Sequence, residues 1–262
     1  MTRPGRRTVA VAAVAAAMLT TVAVAHQASA ASDQASAAAN LQVRVVTANL
    51  DFRGADYVKK AWAVIGPNAD IVFVQEAKFV VLRQVLGLHW VVRQDTSSED
   101  RQGSAVVIRR SITKEVGSLE LVKGVDGGHC PDGGILTRWI AKVPVQLSNG
   151  RWIRVASLHM PPPRCQTGPG GRYATMADNV VSFVRRTDRL TVLGADWNKI
   201  VDDDPNDIGQ RTGLKPRGPD DGLRIDGFYV SQPITTCCLG KLARTGDNHH
   251  RPVKMTIGVP AP

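Results

Sequence analysis

From residue 41 onward the chain shows short apolar runs whose spacing alternates between strand and helix periods. Residues 41–50 alternate and are rich in valine, the pattern of a strand with one buried face. Residues 57–65 have helical spacing that stops at Gly66-Pro67, where a proline cannot continue a helix. Residues 71–75 are wholly apolar, as in a strand buried on both faces. A helix is predicted over 79–86. Strand signals then follow closely, at 90–93, 105–109, 119–122, 136–147 and 152–159. The last two are joined by Ser148-Asn149-Gly150, an Asn-Gly hairpin turn. Residues 174–186 form an amphipathic helical pattern. The stretch Thr191-Val192-Leu193-Gly194-Ala195-Asp196-Trp197-Asn198 follows, an apolar strand ending in an acid and an amide. A loop rich in Asp, Gly and Pro (202–222) leads to strands at 224–230 and 253–259. Many strands, few helices, and hairpins beside crossovers predict an α/β fold of two mixed sheets packed face to face with outer helices.

The first 40 residues change the picture of the whole chain. Arg3, Arg6 and Arg7 precede an apolar run over 9–19, and Ala28-Ser29-Ala30 offers small residues for a signal peptidase. Residues 1–30 are therefore expected to be a secretory signal peptide, with a mitochondrial-type transit peptide as the alternative, 31–40 a disordered tail, and 41–262 one domain with a full core. No run is long enough to span a bilayer, so an exported, extracellular protein without stable membrane insertion is expected, and a monomer is the expected state. The net charge of +10 falls to about +7 once the three arginines of the first 30 residues are set aside. A basic exported protein suits a polyanionic partner such as nucleic acid, or an anionic lipid surface. Four cysteines without a Cys-x-x-Cys spacing point to disulfides rather than a metal site. Cys130 precedes one strand of the hairpin and Cys165 follows the other, which places them at one end of an antiparallel pair and predicts a Cys130–Cys165 disulfide. Cys237 and Cys238 are adjacent, a spacing that disfavours a bond between them, and one or both are expected as free thiols.

Polar residues sit where apolar strands end. Asn49 closes the first strand and Glu76 the second. His159 ends the hairpin strand, Asp226 lies in Arg224-Ile225-Asp226-Gly227-Phe228, and His249-His250 precedes the last strand. Asn49, His159 or Asp226 alone would be ordinary turn or structural residues. Glu76 is different, because a carboxylate ending an apolar strand is costly unless it is paired or bound to metal. Asp196 and Asn198, two apart, can face one cation or one phosphate oxygen.

Together these pieces resemble the endonuclease/exonuclease/phosphatase superfamily. The matching segments are T-A-N-L, V-Q-E-A, G-S-A-V-V-I-R, S-L-H-M, G-A-D-W-N, R-I-D-G-F and H-H-R-P-V, in order between residues 41 and 259. The resemblance implies a four-layer α/β/β/α sandwich and a metal-assisted attack of water on a phosphate ester. By position, Glu76 would bind Mg²⁺, or Mn²⁺ or Ca²⁺, with Asn49 beside it. Asp196 would orient or deprotonate the water, and Asn198 would hold a phosphate oxygen. Asp226 would pair with a C-terminal histidine, which with His159 would flank the phosphate as imidazolium. The family ending S-D-H-x-P-V appears here as Asp247-Asn248-His249-His250-Arg251-Pro252-Val253. Counting back from Pro252 makes His250 the catalytic histidine and leaves His249, with Asp247 nearby, at the metal edge. Counting from Asp247 would choose His249 instead.

Substrate is set less firmly. Asn198 is followed by Lys199-Ile200, unlike the inositol phosphatase pattern, and no Phe, Trp or Tyr lies between 230 and 262 to serve as the lipid-entering aromatic hairpin of secreted sphingomyelinases. Lys78, Arg164 and Arg172, with Arg53, Arg211, Lys215 and Arg224, are candidates to contact flanking phosphates. The expectation is a nuclease. A phospholipid or small phosphoester hydrolase is the alternative, and a family member that has lost catalysis and binds a partner is the third reading.

Overall fold

The valine-rich run becomes β1 (Leu41–Asn49), and its alternation is used on two faces. Val43 and Val45 enter the core between two sheets, while Val46 and Ala48 face a helical layer. β1 pairs in parallel with β2 (Ile71–Gln75), which continues through β4 (Ala105–Arg109) to β3 (Trp90–Gln94). On its other side β1 pairs with β15 (Val253–Val259), followed by the edge strand β14 (Thr235–Lys241). The computed structural model describes residues 40–96, 102–130, 133–165, 170–186 and 188–262. The expected signal peptide, and the expected tail apart from Asn40, lie outside these residues.

The second sheet is centred on the long hairpin of β9 (Arg138–Leu147) and β10 (Trp152–His159). β11 (Leu190–Asp196) lies parallel to β10, then β13 (Asp226–Val230) and the short edge strand β12 (Lys215–Arg217). β5 (Thr113–Val116) and β6 (Glu120–Val125) pair one after the other along the far side of β9. Gly150 alone of the 148–150 turn takes a positive φ, of 90°.

Three apolar layers hold the sandwich together. Between the sheets, Val43, Val45, Phe73 and Ile108 pack on Val143, Val155, Val192 and Phe228. Outside the first sheet, α1 (Ala55–Ile65) and α2 (Leu82–Leu86) bury Val58, Ile65 and Leu82 against Val72 and Val74. Outside the second, α3 (Arg172–Arg185) lays Met176, Val180 and Phe183 on Ala156, Leu158 and Leu193. This is the four-layer α/β/β/α order the sequence pattern predicts. A side chain buried in this way contributes about 1.5–3 kcal/mol. The sheets approach closely at Gly194, where a Cβ would overlap the Phe73 ring.

Local differences from the sequence reading have physical causes. The helix expected over 79–86 begins only at Leu82, because the Gln94 side chain occupies the preceding backbone groups. Its amide nitrogen donates to the carbonyls of Ala77 and Val80, and its oxygen accepts from the Leu82 N–H. The 202–222 loop holds α4 (Ile208–Thr212) as well as β12. Its aspartates read as loop formers, yet Asp204 accepts from the N–H groups of Gly209 and Gln210 and starts that helix. β14 escaped notice because as an exposed edge strand it carries no apolar alternation. The ribbon of β7 (Gly128–Cys130) and β8 (Gly133–Ile135) is too short for a periodic signal. Cys130, at the end of β7, is bonded to Cys165 with their Cα atoms 5.2 Å apart.

Candidate active site

Strand direction gathers the polar residues at one edge. β1 and β2 are parallel and end at Asn49 and Gln75, while β10 and β11 are parallel and end at His159 and Asp196. The two sheets are joined there by buried polar contacts. Gln75 Nε2 donates to Ser157 Oγ (3.0 Å), Ser157 Oγ donates to the Val74 carbonyl (2.8 Å), and Thr47 Oγ1 donates to Gln75 Oε1 (3.3 Å). Within the second sheet His159 lies opposite Asp196, and Asp196 opposite Asp226, so three neighbouring strands present one row of titratable groups.

Two carboxylates facing each other across strands repel unless a cation sits between them. His250 supplies it. Its Nδ1 lies 2.8 Å from Asp226 Oδ2, and its Nε2 lies 3.8 Å from Asp196 Oδ2. Burial works against the imidazolium, but the Asp226 hydrogen bond and the charges of Asp226, Asp196 and Glu76 prevail and raise its pKa to about 9. Asp196 is pushed upward by burial and then by Asp226. The ring is positioned through its own backbone, since the His250 N–H donates to Asn248 Oδ1 and Asn248 Nδ2 donates to the Asn49 carbonyl.

His159 behaves in the opposite way. It is buried, and burial together with the charges of Arg138 and His250 holds its pKa well below the usual histidine value. That direction runs against the imidazolium expected of this residue. Its Nε2 lies 3.2 Å from Asp196 Oδ2 and 3.0 Å from Asn198 Nδ2. Its Nδ1 stands 3.4 Å from Glu76 Oε1 without the alignment of a hydrogen bond. Asn198, at φ 52°, also donates from its Nδ2 to the Met160 carbonyl, and its N–H donates to Asp196 Oδ1.

Glu76 follows β2 in the left-handed region, at φ 57°, which turns its side chain toward His159. Burial raises its pKa to about 7, with a further push from the charge of Asp51. Asp51, two residues beyond Asn49, went unnoticed in the sequence; it is a second carboxylate near Glu76. Asn49, expected at the metal beside Glu76, acts on the Glu76 carboxylate through its side chain; its Oδ1 accepts from the Asp51 N–H (2.8 Å) and its Nδ2 donates to Asp196 Oδ2 (3.1 Å).

Arg138, the first residue of β9, is the other group the sequence did not single out. It is buried, its Nε and one terminal nitrogen have no hydrogen-bond partner, and burial lowers its pKa to about 10 against the pull of Glu76 and Asp196. Asp226 Oδ1 is likewise buried without a partner. Unmatched donors of a buried guanidinium suit the oxygens of an anion.

Several expected residues stand apart. Asp247 is exposed and pairs with Arg53 (3.2 Å), and His249 is exposed with its ring 4.3 Å from that of His250. Neither belongs to the carboxylate cluster, because the buried position before His250 is taken by Asn248. Arg172 donates to the carbonyls of Asp126 and Gly127 and so fastens the 126–128 turn rather than reaching outward. Arg211 pairs with Asp178 and Arg224 with Asp202. Arg164 is exposed and close enough for its charge to act on Arg138, and Lys78 lies over the Phe79 ring.

A cation has a fitting place beside Glu76. Two carboxylates, Glu76 and Asp51, act on one another there, and oxygen donors of this kind suit a hard divalent ion. Ligand atoms of Asp196, Asp226 and His250 also lie within 4.8 Å of one another. Within that group His250 Nδ1 is already engaged by Asp226 Oδ2 (2.8 Å).

No known family pattern matches the chain, and no characterised protein is detectably similar to it in sequence. Solved structures do match. An endonuclease/exonuclease/phosphatase from Bacteroides vulgatus aligns over 84% of this chain and 99% of its own, with a TM-score of 0.63 and 14% identity. TDP2 of D. rerio, solved with a single-strand DNA product, aligns over 82% and 98% with a TM-score of 0.57 and 13% identity. ANGEL2, a 2',3'-cyclic phosphatase solved with adenosine-2',3'-vanadate, aligns over 84% and 96% with a TM-score of 0.59 and 12% identity. The chain therefore has the fold of the endonuclease/exonuclease/phosphatase superfamily.

Proposed function

We propose that this chain is a divalent-metal-dependent phosphoric ester hydrolase, and specifically an exported nuclease. The observation that carries the reading is the convergence of Glu76, His159, Asp196, Asp226 and His250 at one edge of both sheets, beside the unmatched N–H groups of Arg138. Glu76 and Asp51 would hold Mg²⁺ or a similar ion, which would offset phosphate charge and polarise the phosphoryl group.

The protein groups divide the remaining work. Arg138 and protonated His250 are cations placed to bind phosphoryl oxygens and to meet charge as it develops. Asp196, raised toward neutrality by burial, is a stronger base than an exposed aspartate and is suited to take the proton of an attacking water. Asn198 and His159 fix its carboxylate. Asp226 keeps His250 protonated, so that imidazolium can neutralise the pentavalent phosphorus or give its proton to the leaving oxygen.

Nucleic acid is favoured as substrate by what lines the rim. Phe79 is 66% exposed and lies 6.0 Å from Phe52, with Lys78 over the Phe79 ring and Arg53 next to Phe52 in the chain. Aromatic faces among cations suit stacked bases and flanking phosphates. Export rests on the signal features of residues 1–30 and agrees with a disulfide. The test is a turnover panel of plasmid DNA, RNA, sphingomyelin and a simple phosphodiester, with Mg²⁺, Mn²⁺, Ca²⁺ or EDTA. Metal-dependent cleavage of nucleic acid is expected. Cleavage of lipid alone would reverse the substrate assignment, and no turnover would favour a binding protein.

A further inference from the structure

We propose that Cys237 and Cys238 form a reversible redox site, a vicinal dithiol that closes to a disulfide by exchange with a small-molecule disulfide. Successive side chains of a strand point to opposite faces, so adjacent cysteines in β14 should hold their sulfurs apart. Here the two Sγ atoms are 2.8 Å from each other. The backbone explains it. Cys238 takes a φ of 60°, in the left-handed region, and the ladder shifts between Cys237, opposite Thr256, and Gly240, opposite Lys254. That bulge turns the second thiol to the side of the first.

The surroundings leave the pair free to react. β14 is the outer strand of its sheet, bonded on one side only, to β15, and both cysteines are exposed. Cys238 and Leu239 stand out of register in the bulge, so the peptide between the cysteines can adjust without disturbing regular pairing on either side. Neighbouring residues bring their Cα atoms closer than the roughly 4.4–6.8 Å of ordinary disulfides, and such a bond is strained and readily reduced. The site is therefore a labile couple, unlike Cys130–Cys165, whose Cα separation of 5.2 Å falls in the ordinary range.

The exchange balances without any further reactant. One thiolate attacks a sulfur of the small disulfide, forming a mixed disulfide and expelling one thiol. The neighbouring cysteine then attacks the protein-bound sulfur and expels the second thiol. The protein gives up two electrons and two protons, and the small disulfide becomes two thiols.

The test uses the full-length chain in glutathione buffers of graded oxidation, with alkylation and mass measurement. Two alkylatable thiols should disappear together, with a loss of about 2 Da on the peptide holding both cysteines. The Cys130–Cys165 bond should persist throughout. Cys237→Ser and Cys238→Ser should each stop at a stable glutathione adduct. Phenylarsine oxide, which bridges paired thiols, should bind the reduced wild type one-to-one and lose that binding in either variant. Stable glutathione adducts on wild type, bonds from these cysteines to another chain, or no reaction would each overturn the proposal.

Discussion

Arg138 carries the sharpest expectation for a single residue. Its buried guanidinium has donors with no partner and sits among the charges of Glu76 and Asp196. Arg138→Gln should lower kcat by about 10²–10³, the usual effect of removing a preorganised donor to developing charge. Arg138→Lys should recover little, since a point charge does not reproduce the fork. Steady-state kinetics on a simple phosphodiester, with circular dichroism to check folding, measures both. His250 gives a pH signature. A histidine whose folded pKa is raised contributes stability that is full below about 6.5 and is lost as pH rises through about 9. In Asp226→Asn that loss of melting temperature between pH 6.5 and 9 should flatten, and the imidazole resonances should titrate near or below the ordinary value. Unchanged titration would remove Asp226 as its charge partner. Glu76, Asp196, Asp226 and His250 were legible because each closes or opens an apolar strand within a short recognisable segment. Arg138 was not, since an arginine opening a strand looks like any surface cation until its burial is known. Asp247 and His249 stand outside the buried cluster because burial of Asn248 turns both neighbours outward.

Among the elements, the hairpin of β9 and β10 and its flanking disulfide set the position of His159. Cys130 and Cys165 close a loop of 35 residues beside that strand end. Replacing both by serine should cost about 4 kcal/mol of stability, from the added freedom of the unfolded chain. Thermal melts of the double variant against the wild type, each under oxidising and reducing conditions, measure it. A wild-type melting point that reduction leaves unchanged would mean the bond contributes nothing. Most strands were legible from apolar alternation or short buried runs. What escaped was what alternation does not encode: the edge strand β14, the short β7–β8 ribbon, and the helix that Asp204 starts inside a loop rich in aspartate. The Gln75–Ser157 contact between the sheets was also invisible, because two buried polar residues from distant segments satisfy one another only in the folded state.

At the scale of the whole molecule, the order of segments predicted the layering, and the paired parallel strands of each sheet explain why the chemistry collects at one edge. Hydrolysis of phosphate esters at this edge is proposed to need a divalent ion held through Glu76. Glu76 is buried enough to have a pKa of about 7, so a bound cation would displace its proton. The most direct measurement is turnover of a phosphodiester by wild type and by Glu76→Gln across a Mg²⁺ titration, with metal binding followed by calorimetry. Glutamine keeps the shape and removes the charge. Wild-type turnover should be abolished by EDTA, and the variant should show weakened ion binding, activity reduced at least about 10²-fold, and unchanged secondary structure. A variant with near wild-type turnover, or a wild type indifferent to EDTA, would contradict it.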